Sequence, residues 1–226
     1  LEEMNREGKF GNIYHVYCSF RSFRSIPGLG GAFTNKEQSG GGVLIDWGVH
    51  FLDLILYILG DAKLKNVTAD TYCEMAKDMK AYRYKDMWAE DTSNIESGTN
   101  DVDDFISGYV RTDKASISFN GAWAQNIGKS EMFIDFIGDK AGIRMQYGGV
   151  GNGYDFVIYG AKDGMLTETK PSFSAKPHFQ NEIDSFVDCV RSGEKLPSHI
   201  DTNIITSKLM QAIYDSAETH REISFE

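Results

Sequence analysis

The sequence predicts an α+β fold: a large, mostly antiparallel (mixed) sheet with helices on one face. Three observations carry that reading. Period-two alternation recurs in paired segments from residue 103 to residue 170, each pair joined by a short turn. Helical periodicity is confined to one long stretch before those pairs and two after them. The strand–helix–strand rhythm of a parallel fold is missing. With 226 residues, 41% hydrophobic and 25% charged, the chain has material for a sizeable core and is read as one domain, residues 1–226.

In order along the chain, residues 1–8 read as the end of a helix closed by Gly8. They start inside that helix without an initiator methionine, so the beginning is expected to be a cut in a longer chain. Residues 12–23 alternate aromatic, β-branched and polar side chains, as a strand does. Residues 26–42 form a Gly-rich approach to the apolar helix at 40–60, which Gly60-Asp61 stops. A strand follows at 64–72, then residues 76–101, basic before acidic and without periodicity. That length without structure points to a functional or mobile loop. DDFISGYVR and SISFNGAWA flank the turn TDKA, EMFIDFIG and GIRMQYG flank DKA, and GYDFVIYG precedes MLTETK. The chain closes with helices at 178–193 and 201–220. The first spaces Phe179, Ile183, Phe186, Val187 and Val190 on one face, and the second offers Asp201 or Thr202 as its N-cap.

A net charge of −10 argues against nonspecific binding to nucleic acid or anionic membranes. Cys18, Cys73 and Cys189 are odd in number and lack metal-ligand spacing, which predicts reduced thiols and a cytoplasmic protein. Neither a signal peptide nor a membrane span is expected.

The stretch GGGVLIDWGVHFLDLILYILG carries the chemistry. At about 100° per residue, His50 lies roughly 40° from Asp46, Asp53 about −20° and Tyr57 about +20°. These polar groups share one seam of a helix otherwise apolar all round, so the helix is expected in the core with the seam at a cavity or among partners. Three uses compete. The seam is a set of buried hydrogen bonds, a metal site built from Asp46, His50 and Asp53, or an acid–base pair in which Asp46 fixes the imidazole of His50. Gly40, Gly41 and Gly42, just ahead of the helix, either admit a ligand to its positive end or let two segments pack closely. Gly48 costs the helix roughly 1 kcal/mol relative to alanine and marks a tight crossing. Arg21 and Arg24 close the first strand and either bind substrate or face solvent. GLGGAF (28–33) and GGVGNG (148–153) lack the strand, glycines, helix and acid of a dinucleotide-binding unit.

The seam resembles the signature that opens the C-terminal domain in the Gfo/Idh/MocA family, loosely GGG-x-L-x-D-x-G-x-H-x-x-D, and every named position is filled here. FGNIYHV, VDDFISGYVR, FIGDKAGI and HFQNEIDSFVDCVRSGEKLP resemble further family segments, so the likeness covers most of the chain outside residues 74–100. Trp47 departs from the smaller aliphatic residue common there. The resemblance implies one half of an NAD- or NADP-dependent oxidoreductase acting on a sugar, polyol or related alcohol. The cofactor would be bound mainly by a preceding Rossmann domain, which also carries the family's catalytic lysine in a Glu-Lys-Pro motif. Asp46 and His50 fall on the family's catalytic positions. Arg21, Arg24 and Asp53 are candidates for substrate contact, and Gly40, Gly41 and Gly42 for cofactor contact. The apolar residues alternating onto both sheet faces predict a homodimer or homotetramer through the sheet. The rival readings are a noncatalytic binding or dimerisation module on the same scaffold, and a metal-dependent lyase or isomerase using Asp46, His50 and Asp53.

Overall fold

Alternation in residues 12–23 becomes β1 (Ile13–Arg21), the strand on which the whole sheet is centred. In the computed structural model, residues 1–60, 62–85, 93–148, 153–172, 177–196 and 198–226 are described. Asp61, part of the stretch 76–101 and the glycine cluster at 148–153 thus lie wholly or partly outside the described residues.

Ahead of β1 stands α1 (Glu2–Arg6), and after it α2 (Lys36–Ser39), a π-helical turn (Leu44–Gly48) and α3 (Val49–Leu59). There follow β2 (Leu64–Tyr72), β3 (Phe105–Thr112), β4 (Ser116–Ala122), β5 (Glu131–Gly138), β6 (Ala141–Tyr147), β7 (Tyr154–Lys162) and β8 (Met165–Thr169). The chain ends with α4 (His178–Ser192), α5 (Ile200–Thr219) and the short β9 (Ile223–Ser224). His199, rather than Asp201 or Thr202, caps α5, its Nδ1 accepting from the Asp201 amide at 3.3 Å.

The strands lie in the order β8-β7-β6-β5-β1-β4-β3-β2-β9. β1 runs parallel to β4, with Val16 beside Ile117 and Phe20 beside Gly121, and the other pairs are antiparallel. Register then assigns the faces. Val16, Phe20, Val67, Ile106, Val110, Ile117 and Phe136 point to the buried side. His15, Tyr17, Ser19 and Arg21 point to the other, beside Ser116, Ser118 and Asn120.

α3 and α5 cover the buried side, α5 against β2 and α3 against β1, with α1 packed on α3. Phe20 of β1 stacks on Phe51 of α3 at 5.0 Å between ring centroids. Gly48 makes that approach possible: a Cβ there would sit 2.9 Å from Leu44 Cδ1 and 3.4 Å from Phe20 Cζ. The stretch Lys36–Leu59 is long and apolar enough to cross a membrane by length and composition, and half of its most apolar 18 residues are buried inside the protein, where it closes the core.

Two features differ from the sequence reading. The long helix begins as a π turn, the Val49 amide reaching back to the Leu44 carbonyl, so the α-helical arithmetic does not hold across residues 44–48. α4 forms where its periodicity places it, yet its apolar face is not buried among the described residues: Phe179 is 74% and Val190 69% exposed.

Candidate active site

The turn that carries Asp46 is fixed at its start by Asp103, two residues before β3. Asp103 Oδ1 accepts from the Gly42 amide at 2.8 Å and Oδ2 from the Leu44 amide at 2.9 Å. Its own carbonyl takes the Val43 amide, and the Tyr214 hydroxyl of α5 donates to Oδ1 at 2.7 Å. The free amides of a helix start are thus met by a protein carboxylate. Here lies the use of the three glycines. Gly40 ends α2 in the left-handed region (φ +79°). Gly41 abuts Tyr214, and a Cβ on Gly42 would fall 1.9 Å from the Asp103 carbonyl oxygen. What approaches this backbone is Asp103.

From that turn Asp46 projects half-buried, and Trp123, just past β4, donates its indole N–H to Asp46 Oδ2 at 2.9 Å. Trp123 is 1% exposed. Burial pushes the Asp46 carboxyl above its ordinary range, while the Trp123 hydrogen bond and the charge of nearby His50 pull it back. The hydrogen-bond partner of Asp46 is therefore Trp123 and not His50, whose ring faces solvent. Tyr57, further along the seam, is 48% exposed. The helix, expected in the core with its seam at a cavity or among partners, is in the core on one side only: Asp46 and Asp53 meet Trp123 and Thr206, while His50 and Tyr57 are exposed. Leu44, Phe51, Leu52, Ile55, Ile58 and Leu59 take the buried side, and the polar stripe runs along the open one. Half-buried Trp47, Val49 and Leu54 flank it.

The other candidates lie apart from this pair. Asp53 Oδ1 accepts from the Thr206 hydroxyl of α5 at 2.7 Å, a tie between two helices. Arg21 is on the opposite face of the sheet, paired with Glu131 and donating through Nε to Ser19 at 3.0 Å. Arg24 donates to Asn126 and stacks over Tyr82 at 5.4 Å, tying loops together. Asp46, His50 and Asp53 do not converge, and among the described residues no three His, Cys, Asp or Glu side chains group as metal ligands. In GLGGAF, the Gly30 amide is taken by the Thr34 hydroxyl at 2.8 Å and its carbonyl by the Thr99 amide at 3.3 Å.

Sequence reasoning missed Asp103, Asp104, Trp123 and Tyr214 as parts of the site's frame. The acidic pair at 103–104 signalled it faintly, since adjacent carboxylates opening a strand must each find donors. Asp104, 1% exposed, accepts the amides of Glu74 and Met75 on Oδ2 at 2.8 and 2.6 Å, while its buried Oδ1 has no partner among the described residues. Burial raises its pKa to about 6.

The site is open. A cavity of about 430 Å³, lined in part by Asn5, Arg6, Ile58 and Lys114, lies at the far end of α3. At 1.5 Å per residue that is roughly 20 Å from Asp46.

Proteins of known identity share this architecture. The chain is 27% identical over 220 residues to D-glucoside 3-dehydrogenase of Escherichia coli (strain K12), covering 97% of itself and 58% of that protein. Its fold matches aldose-aldose oxidoreductase from Caulobacter crescentus, solved with glycerol (TM-score 0.73, 17% identity, 99% of this chain and 59% of that one). It also matches levoglucosan dehydrogenase solved with NADH and levoglucosan (TM-score 0.75, 14% identity, 99% and 61%). The chain thus spans about three-fifths of the length of these proteins. The GFO/IDH/MocA C-terminal domain matches residues 1–144, more than half of the chain, and the chain belongs to that family.

Proposed function

We propose that this chain is the substrate-binding and catalytic portion of an NAD- or NADP-dependent oxidoreductase acting on a sugar, polyol or related alcohol. The observation that carries the reading is the pair on the open face of the long helix. Asp46 is held by one buried donor, and His50 beside it is free to meet a ligand. The sugar and glucoside names of its relatives support the substrate class.

Oxidising a secondary alcohol requires its hydroxyl proton to leave as hydride departs from carbon. His50, exposed and next to the helix start, takes or relays that proton. Asp46, which acts on His50 through its charge and not through a hydrogen bond, stabilises as an anion the imidazolium that results. Bound nicotinamide supplies the hydride acceptor. The glycine runs at 28–33 and 40–42 do not offer it a cradle, because Asp103, Thr34 and Thr99 already take the amides and carbonyls described above. Nucleotide binding is therefore assigned outside this chain, and the open side of the His50 surface is where the cofactor-bearing part would close. A homodimer or homotetramer forms through the uncovered sheet face, on which Tyr17 is 51% exposed.

The test is direct. The complete enzyme is incubated with NAD⁺ or NADP⁺ and a panel of glucosides, anhydrosugars and polyols, following absorbance of the reduced nicotinamide. The proposal expects turnover of at least one sugar alcohol that survives a metal chelator. Activity abolished by chelation and restored by a divalent ion would favour the lyase or isomerase reading, and no turnover with any member would reject the dehydrogenase.

A further inference from the structure

Trp123 reads in the sequence only as part of the strand segment SISFNGAWA, yet it is in direct polar contact with the Asp46 carboxylate. An indole N–H only donates, so a buried one must find an acceptor. Several donors and acceptors surround Trp123. Its amide binds the Asp104 carbonyl at 2.9 Å, and its carbonyl takes the Ser25 amide at 2.9 Å. Both flanks of the residue are thereby clamped, and with 1% exposure the ring cannot swing. Its one side-chain donor is aimed at a carboxylate on the π turn, itself packed against β4.

We propose that Trp123 is a positioning residue for Asp46: its indole N–H fixes the carboxylate beside His50 and keeps it in the anionic form that the proton step uses. The inference rests on the catalytic reading of Asp46 and His50 and adds the group that sets their geometry. A hydrogen bond to an anion is about twice as strong as one between neutral groups, so this donor favours the charged carboxylate over its acid. Burial pulls the other way. Among the described residues His50 is the titratable neighbour that acts on Asp46, so the donor and the imidazole together oppose that burial. Phenylalanine at position 123 would keep an aromatic ring and remove the donor. Asp46 would then hold its proton to higher pH and lose its fixed orientation.

The experiment follows the carboxyl and the indole separately from turnover. In the 226-residue chain, the ¹³C signal of the Asp46 carboxyl is titrated in the native protein and in Trp123→Phe, and the ¹⁵N indole signal of Trp123 is titrated in the native protein and in Asp46→Asn. The expected results are an Asp46 midpoint higher by about one pH unit in Trp123→Phe, and an indole pH dependence that is lost in Asp46→Asn. In the complete enzyme, the acid limb of kcat/KM moves up by the same amount in Trp123→Phe, kcat at the plateau falls about tenfold, and KM stays within about twofold. An unmoved Asp46 midpoint in folded Trp123→Phe overturns the proposal. If that variant does not fold, an indole titration that persists in Asp46→Asn overturns it equally. A displaced carboxyl with an unmoved rate profile upholds the coupling of Trp123 to Asp46 and rejects instead the catalytic assignment of Asp46.

Discussion

Two carboxylates meet the same helical stretch and are used in opposite ways. Asp103 reaches its first amides from the start of β3 and is largely filled: two amides and a tyrosine hydroxyl occupy its oxygens. Asp46 sits within the π turn just beyond, takes a single indole donor, and stands between a buried Trp123 and a solvent-facing His50. A carboxylate offers about four acceptor positions. One that is filled by the protein holds structure together, and one left largely unfilled at a surface is available to a substrate or to a neighbouring imidazole. The expected consequences of mutation divide along the same line.

The largest effect should fall on rate. In the complete enzyme, His50→Asn should lower kcat by about 10²–10⁴-fold, as loss of a general acid–base group does, with an unchanged urea midpoint because the side chain is exposed. A loss of only a few-fold in steady-state kinetics would reduce His50 to holding the substrate. Next comes Asp103→Ala, which strands two amides and a hydroxyl. At about 1–3 kcal/mol for each buried donor left unmet, it should destabilise by about 3 kcal/mol or more in urea unfolding. Near-native stability in that variant would erase the contrast drawn above.

Asp104 sharpens the contrast from a third position, through pH. Its carboxyl titrates near 3.8 when unfolded and at about 6 when folded, so between those values the folded chain holds a proton that the unfolded chain has lost. The stability it contributes is whole below about pH 4 and declines until about pH 6, by about 3 kcal/mol. Urea melts across that window should show the decline, and Asp104→Asn, which keeps an acceptor for the Glu74 and Met75 amides, should flatten it. A native protein whose stability rises between pH 4 and 6 by that amount would contradict the burial of this group. The smallest effect belongs to Asp53→Asn. Weakening its bond from Thr206 should cost about 1 kcal/mol and leave kcat within about twofold.

Much of this frame was readable from the chain itself. The turns TDKA and DKA place β3 against β4 and β5 against β6. What local pattern could not carry is long-range. The parallel pairing of β1 with β4 joins residues about a hundred apart, and Asp103 caps a turn some sixty residues upstream. The π turn has no compositional mark, because it arises from a shift of one hydrogen bond at Val49. Composition also misled on burial. A helix apolar all round reads as fully enclosed, but the half-buried Trp47, Val49 and Leu54 leave His50 and Tyr57 in the open. α4 shows the same limit from the other side: spacing predicts its helix and its apolar face correctly and cannot tell what that face meets.

The division of labour between the two carboxylates is tested most directly by measuring kcat and unfolding free energy together for Asp46→Asn and Asp103→Asn in the complete enzyme. The account predicts that Asp46→Asn loses at least about tenfold in kcat with stability within about 1 kcal/mol of native, while Asp103→Asn loses stability and the folded fraction retains turnover. Native turnover in Asp46→Asn accompanied by a large loss of stability would contradict it, and would make Asp46 a partner for Trp123 and nothing more.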